Sequence, residues 1–175
     1  MIPICLILFI LFIAVITFAI KRADSAQAKV TEEFWEKERK ANSTLRGDTT
    51  DLCYITIPEK FFPLNNDKIN DLRDKTLVNL TGMTNTDLKL KYGILNFKKL
   101  SEYDDNFTTL IKAIASLGHA LIDNNDTADA LSFLEYGISI GSDISSNYID
   151  LAIIYAATDR FDDIRKLKEK AGMLK

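Results

Sequence analysis

Hydrophobic and polar positions divide this chain into three regimes. Residues 1–20, MIPICLILFILFIAVITFAI, carry no charge, and fourteen of the twenty are Ile, Leu, Phe or Val. Twenty helical residues reach about 30 Å, the thickness of a hydrocarbon core. Fourteen such side chains together favour insertion by about 4–8 kcal/mol. Pro3 falls in the first turn, where a missing N–H does no harm. The AQA at 26–28 imitates a signal cleavage site. No basic residue precedes the apolar run, however, and Lys21 and Arg22 separate it from that site. The pattern predicts a retained single-span anchor that places residues 1–20 in a lipid bilayer.

The second regime is mixed. Residues 21–47 form a charged juxtamembrane helix and turn, with Ala23, Ala26, Val30 and Phe34 at helical spacing and Trp35 packing on the same helix. Gly47 and the polar residues around it then break the helix. Residues 48–64 are apolar without helical period: Leu52, Tyr54, Ile55, Ile57, Phe61, Phe62 and Leu64. Pro58 and Pro63 push Ile57 and Phe62 toward extended backbone. These side chains, worth roughly 1.5–3 kcal/mol each on burial, do not stay in water. The segment is predicted to be an extended strap across the helical domain, or else a motif for a partner.

The third regime, residues 65–175, is helical throughout. Ile69, Leu72, Leu77 and Leu80 fall near one helix face. Thr84, three residues before Asp87, opens a helix with a capping-box pattern and carries Leu88, Tyr92, Leu95 and Leu100. Further helices are predicted at about 106–123, 126–140, 145–157 and 160–173. No alternation is long enough for a sheet, so the expected class is all-α: a transmembrane helix plus an array of antiparallel helical hairpins.

Within that array the pattern repeats. Ile114, Leu117, Gly118 and Leu121 line one helix face, and Tyr148, Leu151, Ala152 and Tyr155 line another, each thirty-four residues later. The helices that follow carry Ala130, Leu134 and Gly137 in one copy and Ile164, Leu167 and Ala171 in the other. Small residues allow close helix approach while the large ones fill the seam. This spacing, over about 111–144 and 145–175, resembles the tetratricopeptide repeat. Phe161 also suits that family, whereas the family's Trp is replaced by Ile114 and Tyr148 and no Pro closes either repeat. The whole layout is also similar to a group of single-pass bacterial membrane proteins, a resemblance that implies membrane attachment and helical interaction but no activity.

Beside the seams runs an offset stripe, Ala115, His119 and Ile122 in the first copy and Ile149, Ile153 and Ala156 in the second. A helix apolar nearly all round is normally buried all round. The resemblance implies that this stripe lines a concave groove for an unidentified protein partner. The charged residues that clamp a peptide carboxylate in some members of the family are missing. The strap at 51–64 is expected to occupy or border the part made by Ile149 and Ile153.

Charge and candidate chemistry narrow the function. The chain has 22 basic and 25 acidic residues, net −3, which argues against nucleic acid. Six basic residues, from Lys21 to Lys40, follow the anchor and none precedes it, so the N-terminus is expected outside and the C-terminal domain in the cytoplasm. Cys5 and Cys53 lie too far apart in kind of environment for a disulfide. GISIG at 137–141 matches a nucleophile elbow, but Ser139 closes a helix and no His follows it. DNNDTAD at 123–129 lacks the Gly and terminal acid of a calcium loop, with Ala128 and Leu134 at those places, and reads as caps and a turn. EYDDN at 102–106 reads the same way. His119, the one histidine, has no partner legible in the sequence. The expectation is a membrane-anchored interaction scaffold without catalytic activity, cofactor, metal or small-molecule substrate. The alternatives are a structural subunit of a membrane complex, and an enzyme or signalling effector built on His119.

Overall fold

Leucine, isoleucine and phenylalanine on every side of residues 4–20 leave no face for a soluble core, and the structure gives them none. In the computed structural model, which describes residues 3–64 and 66–173, helix α1 runs unbroken over Ile4–Ser43, and the described apolar side chains of its first half are exposed. It is long and apolar enough to cross a membrane. The side chains of Cys5 and Leu64 lie outside the described residues. The remaining helices are α2 (Asp67–Asn70), α3 (Asn85–Tyr92), α4 (Ile94–Asp123), α5 (Thr127–Ser139), α6 (Ser145–Ala157) and α7 (Phe161–Gly172). The only strands among the described residues, β1 (Tyr54–Ile55) and β2 (Leu77–Val78), form a two-rung antiparallel ladder, so the chain is mostly helical. It divides into two units, residues 1–48 with 84–97 and residues 49–83 with 98–175.

In the first unit the end of α1 is fastened to α3. Lys89 Nζ lies 2.7 Å from Glu38 Oε1 and 2.9 Å from Asn42 Oδ1, Thr86 donates to Glu38 at 2.6 Å, and Lys37 Nζ lies 2.7 Å from Asp87. Thr84 and Asp87 complete the capping box that opens α3. The hydrogen bond from Lys37 and then the cap hold the Asp87 carboxyl down to about 2, and Lys89 lowers Glu38. Backbone bonds from Gly47 to Tyr92, from Ile94 to Thr44 and from Leu95 to Leu45 tie the segment after α1 to the chain around Gly93. That glycine has φ +83°, a conformation that side chains disfavour, and it separates α3 from α4. Trp35 sits on α1 and meets Phe34 of the same helix edge-on at 5.3 Å, while remaining 53% exposed.

In the second unit the helical bounds from 106 onward follow the expected ones closely, but the approach to them differs. α4 has no break near residues 101–106. No Gly or Pro interrupts residues 94–117, and one helix of 30 residues results. EYDDN therefore lies inside α4 rather than in a turn, and two of its residues and neighbours hold backbone elsewhere. Asp104 accepts from the Leu80 N–H at 3.0 Å, and Asn106 donates to the Thr76 carbonyl at 3.0 Å. These bonds give the 76–80 backbone partners outside a helix. Ile69, Leu72, Leu77 and Leu80 are accordingly all buried, but on a one-turn helix, a turn and β2 rather than one helix face.

The helix seams are set by volume. A methyl group added at Gly118 would lie 2.6 Å from Leu134 Cδ2, and one at Gly137 would lie 2.9 Å from Ile114 Cγ2. The two glycines thus receive the large side chain of the opposite helix, and α4 and α5 interlock as the sequence pattern requires. α5 is joined to α6 and the turn after it by Tyr155, which donates to Glu135 at 2.9 Å, and by Arg160, 3.1 Å from the same carboxylate. Burial, and then the bond to Glu135, pushes the Tyr155 hydroxyl up to about 12. The core gathers Phe61, Ile69, Leu72, Ile114, Phe133, Leu134, Leu151 and Ile154.

Candidate functional site

The two halves of the expected groove stripe are brought together by one polar contact. His119 on α4 places Nδ1 3.2 Å from Asp150 Oδ2 on α6, and Asp150 lies between Ile149 and Ile153 in the chain. Nε2 faces Asp123, one turn on along α4, at 3.9 Å. The imidazole is 64% exposed while the Asp150 side chain is 9% exposed, so the histidine covers a buried carboxyl.

Around this pair the stripe is uneven. Ala115 and Ile122 are half-buried, and Ile122 packs on the core. Ile149 is 59% and Ile153 55% exposed, and Ala156 is exposed beside them. Two large aliphatic side chains one turn apart therefore stand in solvent. That is the main apolar feature of the α6 surface.

The strap does not cover them, contrary to expectation. Leu52, Ile57, Phe61 and Phe62 are buried, Ile55 is half-buried and Tyr54 is exposed. The segment lies on α5. The Phe61 ring sits 4.0 Å from that of Phe133 and 5.1 Å from that of Tyr136, Tyr136 donates to the Thr56 carbonyl at 3.0 Å, and Lys60 donates to Ser132 at 2.6 Å. The reason is a second apolar stripe on α5: Phe133 and Tyr136 are one turn apart and offer aromatic faces that α4 and α6 do not fill. Burial there pushes the Tyr136 hydroxyl up to about 12. Nor is the segment extended throughout. Phe62 lies in a short 3-10 helix, Glu59–Leu64, which accommodates Pro63.

The sequence reading passed over Asp150, Asn147 and Ser142. Asn147 is fully buried and donates to Ser142 Oγ at 2.7 Å, while its Oδ1 has no hydrogen-bond partner. The available signal was a lone Asp in the apolar run YIDLAIIY, which a helix tolerates on its inner side only when a partner meets it.

The other candidates resolve locally. Ser139 Oγ donates to the Tyr136 carbonyl at 2.7 Å at the end of α5. DNNDTAD is the α4–α5 turn, with Asn125 at φ 60°, although Asp126 makes no side-chain capping bond. Among the described residues no group of three or more His, Cys, Asp or Glu side chains is placed to hold a metal ion. A His–carboxyl pair is the orienting half of a general base. No nucleophile is among the hydrogen-bond partners of His119 in the described residues. No protein-family model, curated protein or solved structure matches the chain.

Proposed function

We propose that this chain is a membrane-anchored protein–protein interaction module. Residues 1–20 sit in the bilayer, the N-terminus lies outside, and the C-terminal helices lie in the cytoplasm as a tetratricopeptide-like array. The length and apolarity of α1 support the anchor, and the six basic residues that follow it support the orientation. The interlocked glycines of α4 and α5 support a repeat-like hairpin. The observation that carries the interaction reading is the pair Ile149 and Ile153, exposed on a helix whose other faces are buried. Adjacent exposed aliphatic side chains that continue into an apolar groove between α6 and α7 support a contact surface.

The test is site-specific photocrosslinking in intact cells, with the reactive group at residue 153 of the full-length chain. A discrete adduct that disappears when Ile149→Asp is added supports the reading. Absence of any adduct, while the same group at an α5 position crosslinks within the chain, overturns it.

A further inference from the structure

Between the apolar run and the clasp to α3, helix α1 stands alone. Every residue from 21 to 37 is exposed, yet the helix is unbroken. Its ion pairs there, Lys29 with Glu33 at 3.9 Å and Arg39 with Glu32 at 3.0 Å, lie on its own surface. Helices in proteins take most of their stability from a packed apolar face. Here that face is in water, with Val30 65% and Phe34 52% exposed. A rise of 1.5 Å per residue puts these two about 15 and 21 Å beyond Ile20, so lipid tails do not cover them.

The exposed side chains keep one phase. Ile16, Ile20, Ala23, Gln27, Val30 and Phe34 follow one another by alternate steps of four and three residues, the repeat of a two-stranded coiled coil. The next two positions of that repeat are Lys37 and Ala41, and both lie where α1 packs on α3. Lys37 Nζ is 2.7 Å from Asp87, and Ala41 is fully buried. α3 has 8 residues, about 12 Å of helix, and does not follow the stripe toward the anchor. The stripe therefore continues a face on which α1 is already packed.

We propose that this stripe pairs with the same stripe of a second copy of the chain, forming a parallel, in-register two-helix stalk over residues 16–34. The proposal takes the anchor from the reading above and does not involve the α6 surface. Two copies inserted in one direction present the stripe at the same height, and confinement to one bilayer raises their effective concentration. Gln27 then faces its own equivalent, amide to amide, and a single polar position of this kind penalises pairing in any other register. Along the edges of the seam Ala19 faces Asp24, Ala26 faces Thr31 and Glu33 faces Glu38. The one like-charged pair is compensated on both sides, because Lys29 lies 3.9 Å from Glu33 and Lys89 lies 2.7 Å from Glu38. The other charges from 21 to 36, which are Lys21, Arg22, Lys29, Glu32 and Glu36, fall on outward positions of the repeat.

The test is disulfide formation between full-length chains in isolated membranes, with Cys5→Ser and Cys53→Ser removing the natural thiols. Helix axes about 8–10 Å apart bring seam Cα atoms to about 6 Å and hold outer-face ones at about 13 Å or more. The limit for a bridge is about 7 Å. Ala23→Cys, Gln27→Cys and Val30→Cys, each alone, are expected to give a dimer on mild oxidation, and Ser25→Cys, Lys29→Cys and Glu32→Cys at least about fivefold less. Coexpressed copies with tags of two lengths should give the mixed-size dimer. Val30→Glu with Phe34→Glu should reduce the Ala23→Cys dimer about tenfold while the chain stays in the membrane fraction. Equal dimer at all six positions, dimer at none, or an adduct from Val30→Cys to a different protein overturns the proposal and leaves the anchor standing. A chain that carbonate washes from the membranes overturns the anchor, and the stalk with it.

Discussion

Gly118→Ala tests the seam on which the helical unit is built. The new methyl carbon would lie 2.6 Å from Leu134 Cδ2 and 2.9 Å from Cγ. Carbon atoms rest at about 3.5–4.0 Å, so one of them must move by roughly 1 Å. Leu134 is fully buried, so any such shift is made inside the core. Overpacking of this kind costs about 1–3 kcal/mol. Replacing Gly by Ala inside a helix returns about 1 kcal/mol of propensity, so the single substitution should destabilise by about 0–2 kcal/mol. That range is too close to zero to be decisive alone, and the double-mutant cycle removes the ambiguity. Leu134→Ala should cost about 2–5 kcal/mol through the cavity it leaves. In that background the Gly118 methyl meets no Leu, and Gly118→Ala should become stabilising. The expected coupling is about 1–3 kcal/mol in favour of the double variant. The assay is urea unfolding of the full chain in detergent micelles, followed by far-ultraviolet circular dichroism, with the anchor helix a constant background. A coupling below about 0.5 kcal/mol would mean that Gly118 and Leu134 do not touch. The interlocked hairpin would then be wrong.

Four further outcomes follow from the same contacts. Phe61→Ala should cost about 3–5 kcal/mol, because its ring is buried against Phe133, whereas Tyr54→Ala, at an exposed site, should change the unfolding free energy by no more than about 0.5 kcal/mol; equal effects would detach the strap from α5. His119→Ala should destabilise by about 1–3 kcal/mol, since it leaves the buried Asp150 carboxyl without its partner, and adding Asp150→Leu should recover much of the loss. For the α1–α3 clasp, the folded Asp87 carboxyl titrates at about 2 against an ordinary 3.8, so its contribution is complete above 3.8 and is lost as pH falls toward 2; amide protection in α3 that decays already near neutral pH would contradict this. Cys53 is free and exposed, so in intact cells a membrane-impermeant maleimide should label it only after permeabilisation, and labelling beforehand would reverse the proposed orientation.

Sequence pattern was most informative where one physical demand acted alone. The uncharged run at 4–20 is long and apolar enough to cross a membrane, and the structure shows it as a helix with its described side chains exposed. The helices from 127 onward were legible because Gly141, Asp126 and the turn at 158–160 interrupt a clear period, and their bounds agree within two residues. Between 65 and 105 the same period misled. Ile69, Leu72, Leu77 and Leu80 are spaced for a helix, yet Asp104 and Asn106 supply bonds to the backbone at Leu80 and Thr76 from 24 and 30 residues away. A local pattern does not contain a long-range hydrogen bond.

The candidate surface divides along the same line. That Ile149 and Ile153 would lie off the core face was readable from spacing within α6, because Leu151, Ile154 and Tyr155 already fill the inner face. What covers them was not readable, because it depends on which of two apolar stripes the strap prefers. Seven large side chains at 52–64 could in principle match either α6 or α5. Phe133 and Tyr136 decide it: two aromatic rings offer Phe61 a stacking face, and the Tyr136 hydroxyl adds a hydrogen bond to the exposed Thr56 carbonyl. Ile149 and Ile153 can offer no hydrogen bond at all, so laying the strap there would leave buried backbone groups unpaired, at about 1–3 kcal/mol for each one. The strap therefore closes the α5 side and leaves Ile149 and Ile153 on the α6 side exposed.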